Sequence, residues 1–464
     1  MKIELPKKVL FIINNLQLHG YEAFAVGGCV RDSILARRPQ DWDITTSAKP
    51  EEIKKLFRRT IDTGIEHGTV TVLFGKDSFE VTTYRIDGAY EDSRHPKEVQ
   101  FTNRLEEDLR RRDFTINAMA YNDQVRLVDV FGGMQDLNHH LIRCVGDPEE
   151  RFSEDALRIL RAVRFSAQLN FPIESATADA IRKLAPNLQN ISAERIQAEL
   201  VKLLVSPHPE RIRDAYELGL TKVILPEWDA MEGVAQNTPH HKYDVAEHTL
   251  RALKNVKRDK ILRLTMLFHD MGKPACFFKD EDGTGHFYGH AAVSVPIARG
   301  IMQRLTFSNA FIDRVLALVR RHDDVVPANP KAVKCMLARL GGDTELFAAL
   351  CDLKRGDARG QSPKFSGPRI ALADDLQRTL EEIIAADEAF TVKSLAINGR
   401  DVMRLGVAQG PEIGEALAQL LDAVIDGEVP NLAPDLEEYA LRNVIGKSFS
   451  KKLPKSVDGI GEGA

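Results

Sequence analysis

The chain is poor in cysteine, and its thiols are scattered: Cys29, Cys144, Cys276, Cys335 and Cys351 stand singly along 464 residues, with no CxxC. That spacing offers neither a disulfide framework nor a thiolate zinc site, so reduced core or near-surface thiols are expected. No apolar run approaches the ~20 residues that a membrane span needs. The opening MKIELPKKVLFIINNLQLHG breaks its short apolar stretch with asparagines and leads to no small-residue cleavage site, so a cytoplasmic protein is expected. Positive charge is not in excess either. The formal net charge of -5 argues against general adhesion to nucleic acid, while leaving room for a local basic face. Repeats and low-complexity tracts are missing. What remains is an ordinary globular composition, 43% hydrophobic and 28% charged, over a length that suits about three domains of ~150 residues rather than one core.

An amphipathic helix opens the chain. YEAFAVGG then reads as a short strand entering a glycine turn, and VRDSILARR has helical spacing. DWDITT, GTVTVLFGK and SFEVTTYRI are rich in β-branched and aromatic residues and bounded by Gly and Asp, so they read as strands. Residues 1 to about 140 thus form a mixed α/β unit. From SEDALRILRAVRFSAQL to about residue 450 the periodicity is helical, with Pro and Gly punctuation. Within it RGQSPKFSGP (359–368) reads as a linker between domains, and KKLPKSVDGIGEGA as a frayed tail.

The densest chemistry lies in AVGGCVRDSILARRPQDWDITT (25–46). Gly27-Gly28 ahead of a helix lets backbone N–H groups approach phosphate oxygens, and Arg31 adds a charged fork. Asp41 and Asp43, one residue apart on a strand, share a face and can hold a divalent cation that bridges triphosphate oxygens. Each feature alone has a plainer reading, a turn or a solvated cap. Their order and spacing carry the weight. Glu80, by strand parity, is either a third metal carboxylate or an exposed strand residue.

A Gly-Gly turn followed by two near-adjacent acids resembles the nucleotidyltransferase superfamily. Together with RRDFTINAMA (111–120) and EDALRILRAVRF (154–165), it makes about the first 225 residues similar to the class II tRNA nucleotidyltransferases and bacterial poly(A) polymerases. The resemblance implies that Asp41 and Asp43 hold Mg²⁺, that Gly28, Arg31, Arg112, Arg161 and Arg164 bind the nucleotide, and that Asp155 and Arg158 read the base. Asp113 is carried over to the ribose. RIDGAYEDSRHPKEVQF (85–101), otherwise a solvated hairpin end, is similar to the mobile loop kept by enzymes that add the final A. Glu194 and Arg195, in ISAERIQAELVKLL, fall where the family places a helix-stabilising motif.

EDALRILRAVRF is expected to be helical throughout, with Asp155 and Arg158 three apart on one face. Asp155 would accept from an exocyclic amino group while Arg158 donates to a ring acceptor. Cytosine and adenine offer that edge; uracil and guanine do not. The plain alternative makes Glu154 and Arg158 a surface i,i+4 pair worth ~0.2–0.5 kcal/mol. Similarly, Arg110 to Arg112 are by default a solvated basic run.

Further along, His248, His269 and Asp270 in FHD, and Asp357 in LKRGDARG, sit in helical context. Imidazole nitrogens with carboxylates suit divalent transition metals. This ordered H…HD…D set resembles the HD phosphohydrolase superfamily over residues 240–360, which implies a metal that activates water against a phosphoester. His290 and His322 are candidates for a second metal or a phosphate contact. The segment SLAINGRDVMRLGVAQGPEIGEALAQLL is similar to the tail of bacterial CCA-adding enzymes, where Arg400 and Lys393 would meet RNA phosphates.

The expected fold is an α+β nucleotidyltransferase head (1–140), followed by an elongated, nearly all-α neck (141–235), HD domain (236–360) and tRNA-binding tail (361–464). The expected function is template-independent addition of CCA to tRNA from CTP and ATP with Mg²⁺, beside a second divalent metal (Mn, Ni or Mg) in the HD domain. The alternatives are a poly(A) polymerase or partial CC or A adder, and, from another class, an HD phosphohydrolase whose head binds RNA. A non-enzymatic tRNA-binding protein has no need for paired acids beside a phosphate turn. Oligomeric state is not legible.

Overall fold

The computed structural model describes residues 1–88, 99–236, 243–386 and 388–445. The central part of the loop expected at 85–101 and the expected frayed tail lie outside them.

The head is built on a sheet. Its strands are β1 (Ala23–Val26), β2 (Ile44–Thr46), β3 (Thr60–Gly64), β4 (Thr69–Phe74), β5 (Asp77–Thr83), β8 (Met119–Asn122) and β9 (Arg126–Asp129), in the spatial order β3-β4-β5-β2-β1-β8-β9. Only the β2–β5 pair is parallel, with Ile44 opposite Val81. Two short strands, β6 (Arg85–Asp87) and β7 (Val99–Phe101), pair separately beside it. β1 is buried along its whole length because both faces are covered. Ala23 and Ala25 join the main core with Val9, Ile12, Ile13 and Leu16 of the helix Lys7–Leu18, whereas Phe24 and Val26 join a smaller cluster with Tyr84, Leu109 and Val145. The opening helix places those four residues at i, i+3, i+4 and i+7, a single apolar stripe.

After the head the described chain is nearly all helix. The main core runs on without a break from the head through the helices Leu157–Leu169 and Ala193–Leu204 to the group Val245–Lys254, Lys260–Phe268, His290–Arg304, Asn309–Arg321 and Thr344–Gly360. A hairpin, β10 (Phe278–Lys279) and β11 (Gly285–His286), interrupts that group. The last described helices gather around a second core, from Leu395 to Val444. All five cysteines are free thiols, with Cys29, Cys144 and Cys351 buried, as composition implies.

Three local expectations change. Asp41 and Asp43 precede β2 rather than lying on it, although the Asp43 carbonyl still accepts from the Val26 N–H at 3.0 Å and so extends the ladder by one residue. Residues 154–165 are not one helix. Pro148–Glu154 ends at Asp155, whose backbone is extended (φ -139°, ψ 100°), and a new helix starts at Leu157. The cause is local: Asp155 Oδ1 accepts the Leu157 N–H at 3.0 Å, a side-chain bond that competes with the helical one. Finally, 359–368 is no linker. The helix Pro363–Ala385 begins three residues after Gly360, and Leu376, Leu380 and Ile383 bury into the main core. Pro363 occupies the first turn, where a missing N–H costs nothing.

Candidate active site and metal centre

The glycine turn sits at the end of β1. Gly27 has φ +83°, and a Cβ there would stand 3.0 Å from Arg112 Nη1, so only glycine permits both the turn and the guanidinium above it. Gly28 opens the helix Gly28–Ile34, which carries the buried Arg31. Asp43 faces the same spot. Crowding by protein raises its carboxyl above the ordinary value, the Arg112 charge pulls it back, and Asp41 raises it further. The Glu80 carboxyl is raised too, by crowding and then by Asp43 and Asp41. With Asp41 adding to the raised values of both Asp43 and Glu80, the three acids make a concentrated negative site that suits a divalent cation.

Head and neck are laced together by polar bonds through one buried acid. Arg31 Nη1 donates to Asn117 Oδ1 at 2.7 Å, and Asn117 Nδ2 donates to Asp113 Oδ1 at 3.1 Å. The other oxygen of Asp113 receives Arg161 Nε at 2.8 Å. Burial alone would raise the Asp113 carboxyl, but Arg161 and the hydrogen bonds outweigh it and bring it to about 2. Arg31, Arg161 and Arg164 then share one aromatic ring, with guanidinium carbons 5.1, 5.3 and 3.9 Å from the centroid of Phe165. The ring spaces three like charges that would otherwise repel. Arg164 is further paired with the buried Glu199 of helix Ala193–Leu204. Its guanidinium is brought down by burial to about 10.

Asp155 and Arg158 flank this basic cup. Asp155 Oδ2 accepts from Arg195 Nη2 at 2.8 Å, and Arg158 Nη1 meets Glu154 Oε2 at 2.7 Å. Arg158 Nη2 also donates to the carbonyl of Arg111 at 2.9 Å, which ties the neck to the RRD segment.

The second constellation is equally well gathered. His248 Nε2 lies 2.9 Å from Asp357 Oδ1 and 3.5 Å from Asp270 Oδ2, and His269 Nε2 lies 3.2 Å from Asp270 Oδ2 and 3.6 Å from Asp357 Oδ1. His290 and His322 approach the other oxygen of Asp270, at 3.3 and 3.8 Å. Two sets of ligand atoms result, His248/His269/Asp357 and Asp270/His290/His322, with Asp270 between them. The Nδ1 atoms of His269, His290 and His322 are tied to the carbonyls of Met266, Phe287 and Val319 at 2.7, 2.9 and 2.7 Å. Nδ1 is therefore the donor in each ring, and Nε2 is turned inward toward the acids, where it can serve a metal. The Nε2 atoms of His290 and His322 are 3.0 Å apart, a distance at which two lone pairs repel unless a cation or proton lies between them. Between its acids, His269 is carried up to about 10 against the effect of burial, whereas burial and the His269 charge bring His322 down to about 3. The donor set fits divalent metal.

Known proteins match the chain along most of its length. Four family models match in order: the poly A polymerase head domain over residues 23–143, the probable RNA and SrmB-binding site of polymerase A over 170–232, the HD domain over 240–379, and a putative tRNA nucleotidyltransferase domain 2 over 366–440. The CCA-adding enzyme of Lactobacillus helveticus (strain DPC 4571) is 35% identical over 439 residues, spanning 93% of this chain and 96% of its own. That of Limosilactobacillus reuteri (strain DSM 20016) is 36% identical over 428 residues, 92% and 94% of the two chains. The chain belongs to the CCA-adding enzyme family. Among solved structures, the Bacillus stearothermophilus CCA-adding enzyme in complex with CTP superposes with a TM-score of 0.74 at 30% identity, over 97% of this chain and 100% of that one. The Thermotoga maritima CCA-adding enzyme complexed with tRNA_CCA, 20% identical with a TM-score of 0.56 over 94% and 98% of the chains, shares the fold.

As a CCA-adding family member the chain is a nucleotidyltransferase, and divalent metals are general to both of its metal-type domains. No helix among the described residues is long and apolar enough to cross a membrane. Arg31, Arg161 and Arg164 gather on Phe165 with Gly28 against Arg31, and Arg112 stands over Gly27 and acts on Asp43. His248, His269, Asp270 and Asp357 meet in a second cluster, whereas the side chains of Asp155 and Arg158 turn to separate partners, Arg195 and Glu154. Sequence reasoning missed Asn117, Phe165 and Glu199. All three lie inside quoted segments, but each also meets a partner far along the chain, Arg31 for Asn117 and Phe165 and Arg164 for Glu199.

Proposed function

We propose that the chain adds C, C and A to the 3′ end of tRNA without a nucleic-acid template, using CTP and ATP and releasing pyrophosphate. The 3′-hydroxyl of the RNA attacks the α-phosphorus, a new P–O bond forms, and the bond to pyrophosphate breaks. Mg²⁺ held by Asp41 and Asp43 would supply the charge that activates the hydroxyl and stabilises the leaving group. Gly28, Arg31, Arg112, Arg161 and Arg164 cradle the triphosphate, and Asp155 and Arg158 accept from and donate to the amino edge of cytosine or adenine. A wrong base leaves these groups unpaired, at ~1–3 kcal/mol per group. The observation that carries the reading is the Arg31–Asn117–Asp113–Arg161 lattice, which fixes the base-reading neck against the metal-binding edge of the head.

In this reading residues 1–140 catalyse, 141–235 select the nucleotide, 236–360 form the HD domain with the helix Pro363–Ala385 packed into the same core, and the rest of the tail expected at 361–464 grips the tRNA, with acceptor arms recognised by shape. The work belongs in the cytoplasm. The HD set, His248, His269, Asp270 and Asp357 with His290 and His322, would hold Mn, Ni or Mg and supply an activated water for phosphoester hydrolysis. To test the main activity, CCA-less tRNA is incubated with CTP, ATP or both, and its 3′ ends are sequenced. Ends reading CCA are expected; long A runs without C would instead make the protein a poly(A) polymerase, and ends stopping at CC a partial adder.

A further inference from the structure

The helix Thr344–Gly360 carries Asp357 between Gly356 and Gly360, and those two glycines let it lie hard against the segment that bears His248. A Cβ on Gly356 would stand 2.2 Å from Val256 Cγ1, and one on Gly360 would stand 3.0 Å from the His248 carbonyl. Shape therefore fixes this side of the helix, and Asp357 Oδ1 comes within 2.9 Å of His248 Nε2. Asp357 belongs with His248 and His269, whereas His322 belongs with Asp270 and His290. Packing against the His248 segment does not hold the second set at its distance from the first.

His322 stands at the end of the helix Asn309–Arg321, where backbone carbonyls find no N–H within their own helix. The carbonyls of His322 and Asp324 both accept from Lys354 Nζ, at 2.9 and 2.7 Å. An ammonium at a helix C-terminus is favoured twice, by those oxygens and by the helix dipole. Lys354 leaves the helix Thr344–Gly360 three residues before Asp357, so the two side chains are neighbours on one face. One side chain thus joins the helix of the first set to the helix end of the second. The His322 ring follows its backbone, because its Nδ1 is tied to the Val319 carbonyl at 2.7 Å. Whatever holds the carbonyls of this helix end also holds Nε2.

We propose that Lys354 is a positioning residue that sets the gap between the two ligand sets of the HD centre. It acts through the backbone of His322 and touches neither metal nor substrate. With the brace in place, His322 Nε2 stays 3.0 Å from His290 Nε2 and 3.8 Å from Asp270 Oδ1. Without it the end of the helix Asn309–Arg321 is free to draw away from Thr344–Gly360, and the second set loses its third donor. His248, His269 and Asp357 keep their places, because glycine packing holds them. The proposal rests on the reading of the HD set as a divalent metal centre.

The test titrates the full-length protein with manganese and follows metal content and the electron paramagnetic resonance spectrum together. The parent should take up one ion per ligand set and show the exchange-coupled signal of a manganese pair. Lys354→Met keeps the stem and removes the donors. It is expected to weaken the second ion about ten- to hundredfold, to replace the coupled signal by that of isolated manganese, and to leave the first ion in place; Lys354→Arg should recover the coupled signal. A lysine of merely structural use would lower stability and leave the ratio of the two affinities alone. Should Lys354→Met not fold, Lys354→Gln, with amide donors on a shorter stem, takes its place under the same expectation. A coupled pair in the folded variant, or loss of both ions together, would overturn the positioning role. A parent that takes a single ion has no gap to set and overturns it too, with the metal reading intact, whereas a parent that takes none overturns the metal reading and the proposal with it.

Discussion

Arg195 Nη2 reaches Asp155 Oδ2 at 2.8 Å while Asp155 Oδ1 receives the Leu157 N–H at 3.0 Å. The acid proposed to read the base is thereby oriented from two sides before a nucleotide arrives. Arg195→Ala frees one oxygen and should lower discrimination against UTP about tenfold, one unpaired group's worth, with a smaller effect on the rate of correct addition. Competitive incorporation of CTP against UTP measures it, and an unchanged ratio would show that Asp155 needs no such support.

Replacing Asp41 or Asp43 by Ala should cut nucleotide addition by on the order of a thousandfold, because several kcal/mol of charge stabilisation is lost. Crowding and mutual repulsion raise the Asp43 and Glu80 carboxyls, so protons compete with the cation as pH falls. The magnesium concentration for half-maximal addition should therefore climb on the acid side. A titration of activity against magnesium at two pH values reads this directly.

Glu199 and Arg164 are both buried, with side chains 5% and 9% exposed. Glu199→Ala strands the guanidinium and should destabilise the protein by about 3 kcal/mol. Replacing both residues by Leu and Met should recover most of the loss. Urea unfolding of the single and double variants checks the pair.

Asp113 gives stability a particular pH dependence. Its carboxyl is lowered from 3.8 to about 2, so the folded state binds its proton less readily than the unfolded one. About 2 kcal/mol of stabilisation is therefore present in full above the unfolded value and lost as pH falls through the folded one. Asp113→Asn should be less stable than the parent at pH 7, and the gap should narrow near pH 3. Unfolding midpoints at both values settle the sign.

His269 lies within reach of both Asp270 and Asp357, so His269→Ala should abolish metal uptake at the HD centre together with phosphoester hydrolysis. Addition to tRNA should persist. Metal content by mass spectrometry and 3′-end sequencing on the same preparation separate the two activities.

The parts of this architecture legible in sequence are those whose cause is local. The Gly27-Gly28 turn, the Asp41/Asp43 pair and the His269-Asp270 step are each short contiguous motifs, although the partners they meet, Arg112, Glu80, His248 and Asp357, stand far along the chain. The break at Asp155 was hidden because apolar periodicity continues across it, while one carboxylate bond decides the backbone. β3 escaped notice because it is mostly exposed and carries no alternating apolar face, and β8 because its strand lies inside an apolar stretch that spacing alone does not resolve. Pro363 and Gly367 made a helix start look like a linker, until Leu376 and Leu380 found the main core. Glu80 was open by parity alone; its place beside Asp43 follows from the pairing of β2 with β5.

The second core, from Leu395 to Val444, has no buried side chain in common with the first and meets it on the helix Pro330–Arg339, which gives Val333, Met336 and Leu337 to the first and rests Cys335 and Ala338 on the second. Heat can therefore melt the C-terminal helices while the head and HD centre stay assembled, and calorimetry would trace two humps instead of one. Loss of grip on a long RNA would then precede loss of chemistry, so a warmed sample would still turn over short acceptor mimics after whole tRNA had ceased to be a good substrate.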